Sequence, residues 1–222
     1  MPSEPMPALH RHQIAWLSAA GWQRLLARDW DAEANECLRH WAERSLPVVV
    51  TSQPDDDRDA LSLGLSAPLR WGRLRLPLRV QRSEVVYFDE FPQLEKLVAQ
   101  LPCGARGPAR QLALALRACG AAARVYGSHG WQHLTGLQHV RKDSDLDVWV
   151  GVSGLAQADA VAVALNAFDA GAQRLDGELV FGGDTAVAWR EWLAWRSGRA
   201  QTLLVKRLWG AAMGLELAEV SA

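Results

Sequence analysis

Asp145-Leu146-Asp147, inside the apolar segment DLDVWV, constrains what this chain can fold into more than any other feature. Side chains alternate along a strand, so aspartates two apart point to the same face, where together they can hold a metal ion. Sixteen residues (129–144) separate this pair from Gly127-Ser128, which follows the strand-like Ala123-Arg124-Val125-Tyr126. A small residue at such a turn lets a phosphate approach the backbone. A second strand over 146–150 then returns the carboxylates to the side of that turn. A divalent cation between two aspartates and a polyphosphate neutralises charge developing on a phosphoryl group and helps position its leaving group. The spacing points to nucleotidyl-transfer chemistry. Lys142-Asp143-Ser144-Asp145 also fits an ordinary polar turn into a buried strand, and the Gly-Ser turn one strand and one helix upstream is what favours the site.

At 222 residues the chain has room for two small domains. Proline and glycine cluster over residues 101–108, ahead of a helix in which Leu112, Leu116 and Cys119 share a face, with Pro108 placed in its first turn. We therefore expect an α/β (α+β) chain with a smaller α+β domain over 1–105 and a mixed-sheet catalytic domain over 106–222. In the first domain, helical stretches around Trp16 to Leu26 and Cys37 to Trp41 precede a strand at 47–50 and an acidic loop containing Asp55, Asp56 and Asp57. Residues 61–86 then read as short strands joined by tight turns, studded with Arg70, Arg73, Arg75 and Arg79. Those arginines are either solvent-facing strand positions or contacts for phosphates or an acidic partner. In the second domain Ser153 is expected to cap a helix running through Phe168, and 178–181 and 186–189 to pair around Gly182-Gly183-Asp184.

A net charge of −1 and a pI near 6.6 argue against a general nucleic-acid binder. Cys37, Cys103 and Cys119 have neither disulfide-framework nor zinc spacing, and buried, reduced thiols are expected. His129 and His133 can share a helix face, but no third ligand accompanies them. There is no bilayer-length apolar run and no basic segment leading into an apolar signal core, so a cytoplasmic protein without a membrane partner is expected.

The residues Gly127-Ser128-His129-Gly130-Trp131-Gln132-His133-Leu134-Thr135-Gly136-Leu137, then Ser144-Asp145-Leu146-Asp147, Asp176-Gly177-Glu178 and Trp189-Arg190-Glu191, carry a family resemblance. Arg11-His12 and Leu46-Pro47-Val48-Val49-Val50 extend it towards the N-terminus. The chain resembles the malonate decarboxylase holo-acyl-carrier-protein synthases, phosphoribosyl-dephospho-CoA transferases that are a branch of the polymerase-beta-like nucleotidyltransferases. The resemblance implies their small mixed sheet and a magnesium-dependent attack on a phosphoanhydride. The implied donor is 2'-(5''-triphosphoribosyl)-3'-dephospho-CoA, the implied acceptor a serine of the apo acyl-carrier subunit of malonate decarboxylase, and the by-product pyrophosphate.

Carried onto this chain, the resemblance has Gly127 and Ser128 holding the triphosphate, and Asp145 and Asp147 binding Mg2+ and aligning the serine. A third carboxylate is implied from a neighbouring strand. Glu178 and Glu191 are the candidates, while Asp176 before Gly177 reads as a turn. Arg190 and Lys206 are phosphate contacts or surface salt bridges, and Trp131 either stacks on adenine or packs in the core. Rival readings are a nucleotidyltransferase acting on another carrier protein or a small metabolite, and a non-catalytic module that only docks an acyl-carrier protein. The arginines over 70–82 are a candidate docking surface for an acidic carrier.

Overall fold

Alternation and capping residues account for the elements of the first unit in the computed structural model, which describes residues 9–53, 59–182 and 185–214. The chain divides into two units, residues 1–90 and 91–222. In the first, strand β1 (Gln13–Leu17) leads into helix α1 (Ala19–Leu26), whose N-terminus is capped by Ser18 accepting from the Gly21 N–H, and helix α2 (Ala32–Glu43), capped by Asp31 accepting from Ala34. Strands β2 (Val48–Val50), β3 (Ala60–Ser66), β4 (Arg75–Gln81) and β5 (Val85–Glu90) follow. The sheet is antiparallel throughout, in the order β4-β3-β2-β1-β5. On β4, Leu76, Leu78 and Val80 face inwards while Arg75, Pro77 and Arg79 are exposed, and Pro77 is tolerated because β4 is an edge strand. The core gathers Ile14, Leu25, Leu38, Trp41, Leu63 and Leu65, with the Trp41 indole donating to the Pro47 carbonyl. The expected acidic loop at Asp55, Asp56 and Asp57 lies outside the described residues.

The second unit contains helices α3 (Leu94–Leu97) and α4 (Cys103–Ala118), strand β6 (Ala123–Val125), helix α5 (Gly127–Thr135), strand β7 (Leu146–Gly151) and helix α6 (Leu155–Asn166). Strands β8 (Leu175–Phe181) and β9 (Thr185–Ala188), helix α7 (Trp189–Arg196), and strands β10 (Leu203–Arg207) and β11 (Gly210–Gly214) complete it. The sheet runs β11-β10-β9-β8-β7-β6, and β7 with β8 is its parallel pair among the described strands. One face of that pair, Leu146, Val148 and Val150 with Leu175, Leu179 and Phe181, belongs to the same core as Ala105, Ala109, Leu112 and Leu116 of α4 and Ala158, Val161, Ala162 and Leu165 of α6. The opposite face is left for polar side chains.

Several sequence expectations shift. The division falls after Glu90, not after 105, because Leu94, Leu97 and Leu101 join the second core. The Pro/Gly cluster therefore opens α4 inside the second unit. Pro108 sits within α4, not in its first turn, and leaves the carbonyl of the exposed Gly104 to water. Gly154, not Ser153, occupies the N-cap of α6, which ends before Phe168. Trp189 begins α7 and does not extend β9. Of the cysteines, all free, only Cys37 is buried, and burial pushes its thiol up to about 12. Among the described residues no helix is long and apolar enough to cross a membrane.

Candidate active site

Parallel pairing of β7 with β8 sets the site. Its register places Asp147 opposite Asp176 and Trp149 opposite Glu178. Because side chains alternate, the face opposite the core carries Asp145, Asp147 and Trp149 from β7 and its approach, beside Asp176 and Glu178 from β8. Asp176 is thus a strand residue level with Asp147. Gly177 after it makes no turn: it has φ +152°, and any Cβ there would collide with the Val148 carbonyl oxygen. The glycine allows close approach within the strand pair.

The N-terminus of α5 meets this face. Gly127 opens the helix at φ +59°, and a Cβ at that position would strike the Asp147 carboxylate. Gly127 therefore makes room for the carboxylate. The Tyr126 N–H donates to the Asp147 carbonyl at 3.0 Å and ties the helix start to β7. No side chain caps α5, and the Ser128 hydroxyl has no hydrogen-bond partner among the described residues. Uncapped amides at a helix start favour an anion.

The carboxylates differ sharply in their partners. Asp145 receives a forked pair from Arg174, Nε at 2.7 Å and Nη2 at 2.9 Å. Asp176 receives a single contact from Arg190 Nη1 at 3.2 Å. Asp147 has no ion pair or side-chain hydrogen bond among the described residues. Burial, then the neighbouring charges of Asp176 and Asp145, push its carboxyl up to about 7. That raised proton affinity reflects the negative charge that Asp145, Asp147 and Asp176 crowd onto this face. Two of the three are turned towards arginines, and among the described residues no three or more His, Cys, Asp or Glu side chains form a ready-made cage.

Other residues singled out from the sequence are engaged with partners in the fold. Glu178 shares the sheet face, but it is buried and paired with Lys206 Nζ at 2.8 Å, so each occupies the other. Glu191 lies on α7, where its carboxylate accepts from the Leu204 N–H at 3.3 Å, and so caps the entry to β10. Arg190 is turned to Asp176, with its guanidinium over the Trp189 ring at 4.1 Å. Trp131 is a core residue, set edge-on to Phe91 at 5.5 Å. Gln132 accepts from the backbone of His139 and Val140, and His133 pairs with Gln100. The sequence reading set Asp176 aside as a turn residue and missed Arg174. Continuous alternation from Leu175 through Asp176, Glu178 and Leu179 to Phe181 was the signal that placed Asp176 inside a strand.

The family model described as phosphoribosyl-dephospho-CoA transferase MdcG C-terminal domain matches residues 93–215, and that of the MdcG N-terminal domain matches residues 10–91. A protein of Bradyrhizobium diazoefficiens named phosphoribosyl-dephospho-CoA transferase is 35% identical over 201 residues, 89% of this chain and 86% of its own. One of the same name from Xanthomonas euvesicatoria pv. vesicatoria is 32% identical over 199 residues, 88% of this chain and 89% of its own. No solved structure matches the chain.

Proposed function

The chain belongs to the phosphoribosyl-dephospho-CoA transferase family of transferase enzymes, and on that premise we propose which group it moves and how. The donor is 2'-(5''-triphosphoribosyl)-3'-dephospho-CoA, the acceptor a serine of the apo acyl-carrier subunit of malonate decarboxylase, and the leaving group pyrophosphate, with the reaction taking place in the cytoplasm. The observation that carries this reading is the juxtaposition of three carboxylates, Asp145, Asp147 and Asp176, with the uncapped start of α5.

In this reading the triphosphate lies on the amides at Gly127 and Ser128, where the helix dipole favours its charge. Asp145 and Asp147, joined by Asp176 and not by Glu178 or Glu191, are the residues that would hold magnesium. Bound there, magnesium would offset charge on the phosphoryl oxygens and on departing pyrophosphate. The serine hydroxyl attacks the α-phosphorus in line: the new O–P bond forms as the bond to pyrophosphate breaks. The serine proton passes to a carboxylate of this face. Arg75 and Arg79, exposed on β4, suit an acidic carrier.

Mass spectrometry of the apo carrier, incubated with the protein, magnesium and the triphosphoribosyl donor, tests the proposal. The expected result is a mass gain equal to the phosphoribosyl-dephospho-CoA group, with pyrophosphate released and no gain for Asp145→Ala. No gain on a carrier and donor shown to be competent would sink the assigned acceptor. An equal gain with Asp145→Ala would sink the assigned site.

A further inference from the structure

Arg174 stands at the entry to β8 on a backbone that is fastened to the start of β7. The Leu146 N–H donates to the Arg174 carbonyl at 2.8 Å, and the Gln173 side-chain amide donates to the Ser144 carbonyl at 2.9 Å. From this fixed base the guanidinium reaches out to fork onto Asp145. The Arg174 side chain is 72% exposed and that of Asp145 28%, so the pair spans the rim of the carboxylate face. Arg190, by comparison, makes one longer contact to Asp176 and rests its guanidinium over Trp189.

Three facts bear on what Arg174 does. A guanidinium fork matches a phosphate as well as it matches a carboxylate. A largely exposed ion pair is weak, so exchanging one anion for another costs little. And while Arg174 holds both Asp145 oxygens, its guanidinium occupies a lone pair on each and competes with a cation for that carboxylate. We infer that Arg174 is an exchangeable latch: it withholds Asp145 from the cation in the free protein and moves onto the phosphates of the arriving triphosphate, which releases Asp145. The inference rests on the donor and cation reading given above.

The latch couples the two ligands. Triphosphate binding removes the competitor for Asp145, so it strengthens cation binding, and by linkage the cation strengthens triphosphate binding by the same factor. Neither assembles fully without the other, and Asp145 stays paired between turnovers. Arg174 is a positioning residue in the free state and a phosphate contact in the loaded one.

The test uses the full chain and two probes: Mn2+ alone, followed by the electron-spin resonance of free ion, and inorganic tripolyphosphate alone, titrated calorimetrically in chelator. Arg174→Gln removes the fork and the charge, whereas Arg174→Lys keeps the charge without the fork. Removing the latch should tighten Mn2+ binding about fivefold in Arg174→Gln, the scale of a well-formed, partly exposed ion pair. Arg174→Lys should shift in the same direction by less, and both variants should bind tripolyphosphate more weakly than the parent protein.

Tighter Mn2+ binding in Arg174→Gln but not in Arg174→Lys would mean only through-space repulsion and would overturn the latch. So would unchanged tripolyphosphate affinity in both. If Asp145→Asn weakens Mn2+ binding while both Arg174 variants leave it unchanged, the latch falls and the cation site stands. If no version of the chain binds Mn2+, even with tripolyphosphate present, both readings fall together.

Discussion

Each unit draws a carboxylate in from solvent, Glu84 buried and Asp147 half-buried, and the two are treated in opposite ways. In the first unit Glu84 is only 4% exposed, yet it is served twice: one oxygen accepts the Gln81 N–H at 2.6 Å and the other pairs with Arg24 Nε at 2.6 Å. In the second unit Asp147 lies among two other carboxylates with no cationic partner among the described residues, and its carboxyl is pushed up to about 7. A buried charge costs free energy unless it is paired. Glu84 meets that condition within the fold. Asp147 does not, and the contrast separates a carboxylate paired within the fold from one that, in the proposed function, takes up a ligand.

The strongest way to break the contrast is to remove charge on the carboxylate face. Asp145→Asn, Asp147→Asn and Asp176→Asn are each expected to lower transfer at least about 100-fold, with circular dichroism unchanged. Asp176→Asn is the sharpest of the three, since a merely turn-forming aspartate would leave the rate intact. Gly127→Ala comes next. It forces a positive φ on a residue with a Cβ and drives that Cβ into Asp147, so about 1–3 kcal/mol of stability should go together with activity. Denaturant melts and rates measured on the same sample check both.

Thermal melts across pH sharpen the comparison further. Glu84→Ala should cost on the order of 1–3 kcal/mol, because it strands the Gln81 N–H. Asp147→Asn should do the reverse. The folded pKa of Asp147, about 7, lies above that of an unfolded aspartate, near 3.9. Its contribution to stability is therefore complete below the unfolded value and is lost as pH rises through about 7. The advantage of Asp147→Asn over the parent should widen from about pH 4 to pH 7 and then level off. Magnesium should narrow that gap by stabilising the parent alone. A flat difference across pH would refute the assignment of uncompensated charge to Asp147. The smallest effect is expected from Glu191→Gln: its amide oxygen can still accept from Leu204, so rates should stay within about twofold of the parent.

Much of this was readable from residues in order along the chain. The period of two in DLDVWV placed Asp145 and Asp147 together, and Gly127 stood out as a position that needs a small residue. The need that the structure shows is a different one, however, because Gly127 faces the Asp147 carboxylate. Asp176 was hidden because Asp-Gly is a turn signal almost everywhere, whereas here the glycine serves a backbone squeezed against Val148. Arg174 was hidden for a different reason: only the parallel register brings residue 174 beside residue 145, and that register is a long-range fact. Glu178 and Glu191 looked suitable as isolated acids, and only the fold shows them engaged by Lys206 and the Leu204 N–H. The Pro/Gly cluster at 101–108 misled in turn, since the helix it opens packs into the second core.

The register of β7 against β8 also bears on how a preparation of this protein should behave. Slipping β8 by one residue would turn Leu175, Leu179 and Phe181 outwards and drive Asp176 and Glu178 into the apolar layer beneath α4 and α6. The alignment that brings Asp176 level with Asp147 is the same one that lets the second unit fold. A well-folded but misaligned, inert subpopulation is therefore strongly disfavoured. Titration of competent sites in soluble material should approach one per chain, and losses during purification should appear as aggregation, not as a silent fall in specific activity.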